Sequence, residues 1–490
     1  MSAVNTKINN KDTMYYIHIA IMLFFMFGFQ YLPVIEPLTK LGMQTVGIFL
    51  GLLWAWTFVD LLWPSLLGMV AVGLTGFMTI DKAFTTGFGN QTTLLVFFVF
   101  AFAAYLTSTG VCKTVAYWAI SRDICIGKPY MFMFFILTAC YILGGTVGGM
   151  ASIVIGWAII YEVSEAMGYK KGDNFPAVCL VGVVVASTLG FTVFPFRVYA
   201  VLALNNARSI LGMECNFMDW VIPSFCASFM VLIVYILLIK YIFKPDTSQF
   251  SSADDIFENF KMQIAVTSEQ KIAMVALVIV LLWASIPSFL PTGSILKTTL
   301  SKFSIGTIMA IVLAILYAIR QNGKPLVDYT EAIKTGVDWK TIIMLAGSFP
   351  IAQMMQSPES GVSALINTFL TSLLGNYGPY AIAVLFILFT VIVTQVAHNM
   401  VMMIVLAPIL CNLSVTLGFN PMPALMMLAF AANIGLGTAG ASVTGAMIFA
   451  NREWIPVGKA FTYTWLAIIL SGFAMCLIGI PLAMLLGAGA

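Results

Sequence analysis

Gly144-Gly145-Thr146-Val147-Gly148-Gly149-Met150 and Thr394-Gln395-Val396-Ala397-His398-Asn399-Met400 sit in the middle of two apolar runs, 130–166 and 379–417. A bilayer core takes about 20 apolar residues per helix, so each run is too long for one span. Each also carries glycine, amide or hydroxyl groups at its centre. A re-entrant hairpin of two antiparallel half-helices, with the polar patch at its tip, accommodates both features. Exposed backbone at such a tip is tolerated only where it lines a cavity or is buried in protein.

The rest of the chain suits that reading. Of 490 residues 61% are hydrophobic and 9% charged, against about 25% charged for an ordinary soluble domain. So few charges cannot cover a soluble surface, and the net charge of +3 signals neither a nucleic-acid nor an acidic partner. The apolar stretches are too continuous for barrel strands, which alternate over about ten residues. They read as helices spanning 14–33, 44–62, 64–80, 92–120, 175–203, 219–243, 272–292, 303–320, 340–372, 422–450 and 460–487. The expectation is an all-α polytopic membrane protein with about 11 transmembrane helices and two re-entrant hairpins. The polar start, with Lys7 and Lys11, precedes a run without a small-x-small cleavage pattern, which reads as a retained first span. Eight cysteines, scattered singly, read as apolar filler.

Basic residues orient the chain. With the N-terminus in the cytoplasm and each hairpin returning to its own side, Lys40, Lys82, Arg208, Lys297 and Lys302 fall outside. Of the 23 Lys and Arg, Arg197 lies in a span and all the others fall inside, as the positive-inside rule requires. The C-terminus is then outside, and the membrane is the cell's inner, cytoplasmic one.

An internal repeat appears at an offset near 250. Lys128-Pro129-Tyr130 aligns with Gly378-Pro379-Tyr380, Met150 with Met400, and Met167-Gly168-Tyr169 with Leu417-Gly418-Phe419; Leu189-Gly190 meets Leu436-Gly437 slightly out of step. The two hairpins open from opposite sides, so the repeat is inverted, the recurring plan of secondary transporters. After each hairpin comes an interruptible helix: Ala186 to Arg197 contains Gly190 and Pro195, and Asn433 to Ser442 contains Gly435, Gly437 and Gly440. Proline removes a donor and glycine eases unwinding, so both are expected to be broken helices. Packing glycines are the alternative for either one alone. The expected divisions are scaffold helices 1–91; a first core 92–244 with broken helix 175–203; a cytoplasmic linker 245–271 with room for a short surface helix; scaffold helices 272–338; and a second core 339–490 with broken helix 422–450.

Hairpin, broken helix, linker, hairpin, broken helix resembles the divalent anion:sodium symporter family of the ion transporter superfamily. In that family a Ser-Asn-Thr signature at each tip holds substrate carboxylates, and adjoining backbone helps to bind sodium. The matching positions here are Gly148-Gly149-Met150 and His398-Asn399-Met400, which keep only the asparagine. Thr394-Gln395 before the second tip and Leu406-Ala407-Pro408 after it also resemble the pattern. The resemblance implies a secondary transporter of a di- or tricarboxylate, working by elevator-like motion, and a homodimer.

The candidate substrate contacts are Gly148, Gly149, Met150, Arg197, His398, Asn399, Met400 and Thr438. Arg197 stands out, because a charge within a span costs about 2.5–3.5 kcal/mol even on a lenient scale, and its planar fork suits an anion. Snorkelling to the surface is the other reading of it. His398 can bind substrate or carry a coupling proton, or it can be a satisfied buried imidazole. Thr146, Gly190, Asn399 and Gly437 are the candidate cation contacts, for Na+ or H+. No metal site, cofactor or enzyme motif is present: Walker A, HExxH and GxSxG are absent and only two histidines exist. An anion exchanger and, further off, an intramembrane enzyme are the alternatives.

Overall fold

The computed structural model describes residues 10–252, 266–291, 293–321 and 323–489. Most of the expected linker, including any surface helix in it, lies outside the described residues. Among the described residues the regular structure is helical apart from a short antiparallel pairing of Arg320–Gln321 with Lys324–Pro325. Among the described residues ten helices are long and apolar enough to cross a membrane, or up to twelve if each of two bent pairs counts as one span.

The chain divides into two compact units. The first comprises 1–94, 338–376 and 412–418. Its helices Lys40–Phe58, Trp63–Leu74 and Trp339–Gln356 meet through small residues. Trp56 Nε1 donates to Ser65 Oγ at 2.8 Å, and the Thr39 hydroxyl accepts from Gly42 N while donating to Glu359 O at 2.6 Å. Asp60, in the turn between the first two of these helices, pairs with Lys340 at 2.7 Å. Burial pushes its carboxyl upward, but the Lys340 hydrogen bond and charge outweigh this and hold it below the ordinary carboxylate value. The pair therefore stabilises the fold above the unfolded pKa of about 3.9 and is lost as pH falls through the folded pKa. Asp60→Asn is expected to lower thermal stability by up to about 1 kcal/mol at neutral pH, and the difference should shrink progressively in melts run at falling pH below about 3.9.

The second unit comprises 95–337, 377–411 and 419–490 and contains most of both repeats. In the first repeat Pro129–Thr146 and Gly149–Ala166 form the hairpin, followed by Asn174–Phe191 and Val198–Leu211. In the second the matching elements are Pro379–Val393, Asn399–Leu417, Met422–Asn433 and Val443–Ala450. Proline starts the first arm of each, and Gly168 and Gly418 end the second arms with φ of +80° and +70°. That left-handed helix stop, repeated 250 residues later, is open to glycine at little cost.

The first hairpin folds back on itself: Ser152 Oγ donates to Cys140 O at 2.7 Å across the tip. Its arms are 18 residues each, longer than the half-helices expected from the polar tip. Both helices are broken where expected, over 192–197 and 434–442. Asn174–Phe191 and Met422–Asn433 are buried on nearly every side, which explains why neither shows an amphipathic stripe. Two expected single spans are divided instead. The run 92–120 becomes Gln91–Ser108 and Val111–Ile120, parted at Gly110 with φ +72°. The run 340–372 becomes Trp339–Gln356 and Val362–Leu374, parted by a short 3-10 turn, Pro358–Ser360. Thr107-Ser108-Thr109-Gly110 and Gln356-Ser357-Pro358-Glu359-Ser360-Gly361 mark these turns in the sequence, and the expected spans ran across them.

Candidate substrate site

The two breaks are joined by Asn433, the last residue of its half-helix. Its Nδ2 donates to Thr188 O at 2.9 Å and to Thr192 Oγ1 at 3.0 Å on the first broken helix. The site is therefore built where the repeats meet, inside the second unit.

At the first tip Gly148 takes φ +142°, a conformation that favours glycine, and turns the chain into Gly149–Ala166. No side chain caps that helix, and the leading N–H groups of a helix have no partner within it. Arg197 closes the first break as the residue preceding Val198–Leu211. It is 1% exposed, which rules out snorkelling. Its Nε donates to Gly145 O of the tip at 2.7 Å, and the guanidinium lies over the rings of Phe191 and Phe196, 5.1 and 5.5 Å from their centroids. Its buried Nη2 has no hydrogen-bond partner among the described residues. Among the described residues no carboxylate forms an ion pair with it. A cation at a helix N-terminus also opposes the helix dipole. The arrangement leaves a desolvated positive charge with an unspent N–H beside an uncapped helix start. Met150 is half-exposed at the same tip, while Thr146 donates back to Ile142 O within its own helix.

The second tip is built differently. Asn399 is buried, and its Oδ1 accepts from Thr394 Oγ1 at 2.9 Å while its Nδ2 donates to Asn433 O at 3.1 Å. Tyr199 lies beside it. Gln395 Nε2 donates to Val391 O and Ile434 O, and its Oε1 accepts from Gly437 N at 2.8 Å. Thr438 Oγ1 donates to Gln395 O at 2.6 Å, and Ser442 Oγ donates to Gly435 O and accepts from Gly445 N. His398 Nδ1 accepts from Met400 N at 3.3 Å, so the imidazole caps the second arm. Met400 is buried. Among the candidate cation contacts, Gly190 O accepts from Val193 N at 3.1 Å, and Gly437 and Asn399 are tied into the amide network just described.

The structure thus brings Gly148, Gly149 and Arg197 together at one tip and His398, Asn399, Met400 and Thr438 around the other. Gln395, Asn433, Tyr199 and Phe191 also belong to the site and were not singled out from sequence. An amide in an apolar span was a usable signal for Gln395 and Asn433; Tyr199 and Phe191 carried none.

The sequence profile of the family described as sodium:sulfate symporter transmembrane region matches residues 12–485. The sodium-dependent dicarboxylate transporter SdcS of Staphylococcus saprophyticus is 23% identical over 326 residues, 64% of this chain. That match spans only 60% of SdcS. Chloroplastic dicarboxylate transporter 1 of Arabidopsis thaliana is 22% identical over 90% of this chain and 78% of its own. The crystal structure of the Alcanivorax borkumensis YdaH transporter superposes with a TM-score of 0.58 at 14% identity, over 84% of this chain and 88% of that one. This likeness extends to the fold alone. The profile match covers nearly the whole chain, and the protein belongs to the sodium:sulfate symporter family, also called the divalent anion:sodium symporters, a family of membrane transporters rather than enzymes.

Proposed function

We propose that the protein is a secondary active transporter of a small organic anion, coupled to Na+ or H+, that works by elevator-type alternating access. One observation carries the reading: Arg197, 1% exposed, keeps a buried N–H unspent and has no carboxylate partner among the described residues. Removing a charge from water costs several kcal/mol unless an opposite charge compensates. A bound anion supplies that compensation, and an intramembrane charge with no protein partner marks a substrate path.

In this reading Gly148, Gly149, Met150 and Arg197 meet the anion from the first tip, with His398, Asn399, Met400 and Thr438 around the second. Carbonyls and side chains at Thr146, Gly190, Asn399 and Gly437 are the places for a coupling cation. Sodium is the coupling ion, and sulfate and dicarboxylates are the substrates, that the names of the family and the relatives point to; a di- or tricarboxylate is the substrate class of this reading. The chain sits in the cytoplasmic membrane with its N-terminus inside and its C-terminus outside, as a homodimer. Exchange of one anion for another is the second reading, favoured by the same arginine: a permanently positive site crosses more readily loaded than empty.

Purified protein in liposomes, given labelled carboxylates and sulfate under imposed sodium, proton or counter-anion gradients, tests this. Saturable uptake is expected, driven by sodium and indifferent to a pH gradient if sodium couples, or the reverse if His398 carries a proton. No saturable anion flux under any gradient would overturn the reading.

A further inference from the structure

The apolar span Phe217–Phe243 ends in strained backbone. Its last turn, Ile239–Phe243, is widened to π geometry, a rare form that collects at functional places. Lys244 then stops the helix in the left-handed region, with φ +42° and ψ +58°. Among the described residues it is the only one other than glycine with a positive φ. Glycine is the usual occupant of such a stop, and a side chain there costs about 1–2 kcal/mol. Pro245 follows, which further favours extended backbone at Lys244. A lysine therefore stands where the backbone alone would do better with glycine, and such strain is a pointer to use.

The surroundings are those of a membrane boundary. Tyr241 and Ile242 are 60% and 66% exposed, while Phe243 packs edge-on against Tyr463, ring centroids 5.6 Å apart. Lys240 is exposed, and its Nζ lies over two rings, 5.7 Å from the centroid of Tyr130 at the start of the first hairpin and 5.1 Å from that of Tyr241. The rings hold the ammonium at the span end without neutralising it. No carboxylate among the described residues pairs with Lys240 or Lys244. The nearest in sequence, Asp246, accepts from Ser248 N at 2.9 Å. Two ammonium groups without counter-charge, beside exposed tyrosine and isoleucine, match an anion that itself sits at the bilayer boundary.

We propose that Lys240 and Lys244, with the rings of Tyr130 and Tyr241, form a site for the phosphate of an anionic phospholipid, its acyl chains lying along Ile242. The positive-inside pattern assigns this end of the span to the cytoplasmic leaflet, where anionic headgroups attract basic residues beside a span. The site is separate from the tips and does not depend on what the protein transports.

The test reads the Tm of the full chain reconstituted in phosphatidylcholine, alone and with increasing phosphatidylglycerol. Phosphatidylglycerol is expected to raise the Tm of the native protein, with each of Lys240→Gln and Lys244→Gly weakening the apparent lipid affinity about fivefold and the double variant losing the rise. Lys244→Gly also relieves the left-handed lysine, so its Tm in pure phosphatidylcholine is expected to equal or exceed that of the native protein. Opposite signs in the two lipids are not what a purely structural lysine gives. No rise in the native protein, or a full rise in the double variant, would overturn the inference. So would an equal loss of Tm in both lipids, which would reduce the lysines to charges at a helix end. Lys113→Gln, which removes another ring-bound lysine assigned to the same side, is expected to keep the rise; a comparable loss there would show general surface attraction and overturn the local site. Inorganic phosphate raising the Tm equally in pure phosphatidylcholine would assign the site to a dissolved anion and overturn the lipid reading.

Discussion

Arg197→Gln is expected to abolish saturable anion uptake while leaving the protein folded in the membrane. Glutamine is polar and keeps an N–H with which to approach Gly145 O, the acceptor now held by Nε at 2.7 Å. What it removes is the charge. Losing one partner of a buried, hydrogen-bonded charge pair costs about 2–5 kcal/mol of binding, which at the anion concentrations that half-saturate the native protein leaves little measurable flux. Stability should move the other way or hardly at all. Arg197 has no carboxylate partner among the described residues, and a buried charge without one is a cost to the unloaded fold. Loss of activity with unchanged or raised Tm is therefore the signature of a ligand-facing arginine. Loss of both would mark Arg197 as structural. Arg197→Lys keeps the charge but not the planar fork, so uptake intermediate between the two is expected, with the deficit mainly in KM. Initial rates across a range of anion concentration, normalised to the reconstituted protein, separate these outcomes. Uptake in Arg197→Gln equal to that of the native protein would refute the role.

Much of this site was legible before any coordinates, and for a physical reason. A membrane penalises polar backbone so heavily that every interruption of an apolar run must be accommodated, and the accommodations leave residues behind. Gly144 to Met150 and Thr394 to Met400 mark the tips; Pro195 and the glycines at 435, 437 and 440 mark the breaks. Where an interruption uses only small hydroxyl residues and one glycine the signal is faint: Gly110 turns the chain inside 92–120 with one left-handed residue, and only Thr107-Ser108-Thr109 before it marks the place. The roles of amides were harder to read than their positions. Asn399 looks from sequence like a ready ligand, yet Thr394 and Asn433 take up its carboxamide. Asn433 is itself bonded to Thr188 and Thr192 of the first repeat, about 240 residues away in the chain, so the arrangement exists only because the repeats face each other. Arg197 is the converse case. Its residue type alone marked it, and its burial removed the surface-snorkelling alternative.

Gly190→Ala is expected to destroy the packing of the first repeat, with loss of monodisperse protein as well as uptake. Gly190 was a candidate cation contact through its carbonyl, but the dominant constraint on it is space. It faces the first hairpin arm so closely that an added Cβ would fall 1.9 Å from Tyr141 O and 2.7 Å from the Tyr141 carbonyl carbon. Both are backbone atoms, so no rotamer change relieves the clash. The neighbouring contact cannot give either, since a Cβ on Gly144 of that arm would meet Ser187 O at 2.3 Å. Small residues set this approach on both sides, the usual way for helices to pack closely in a membrane. Overpacking a well-filled core costs about 1–3 kcal/mol, and here the upper part of that range or beyond is expected because the helix Asn174–Phe191 is buried on nearly all sides and cannot shift outward. Displacing it would also pull Thr188 and Thr192 from Asn433, the bond that joins the two breaks. Size-exclusion profiles and Tm in detergent read the effect directly. Gly418→Ala serves as the control: its Cβ would meet nothing within 4 Å, and the left-handed φ of +70° at a helix end is its only penalty, about 1 kcal/mol. A Gly190→Ala protein as stable as that control would show that the first repeat yields where its backbone contacts say it cannot.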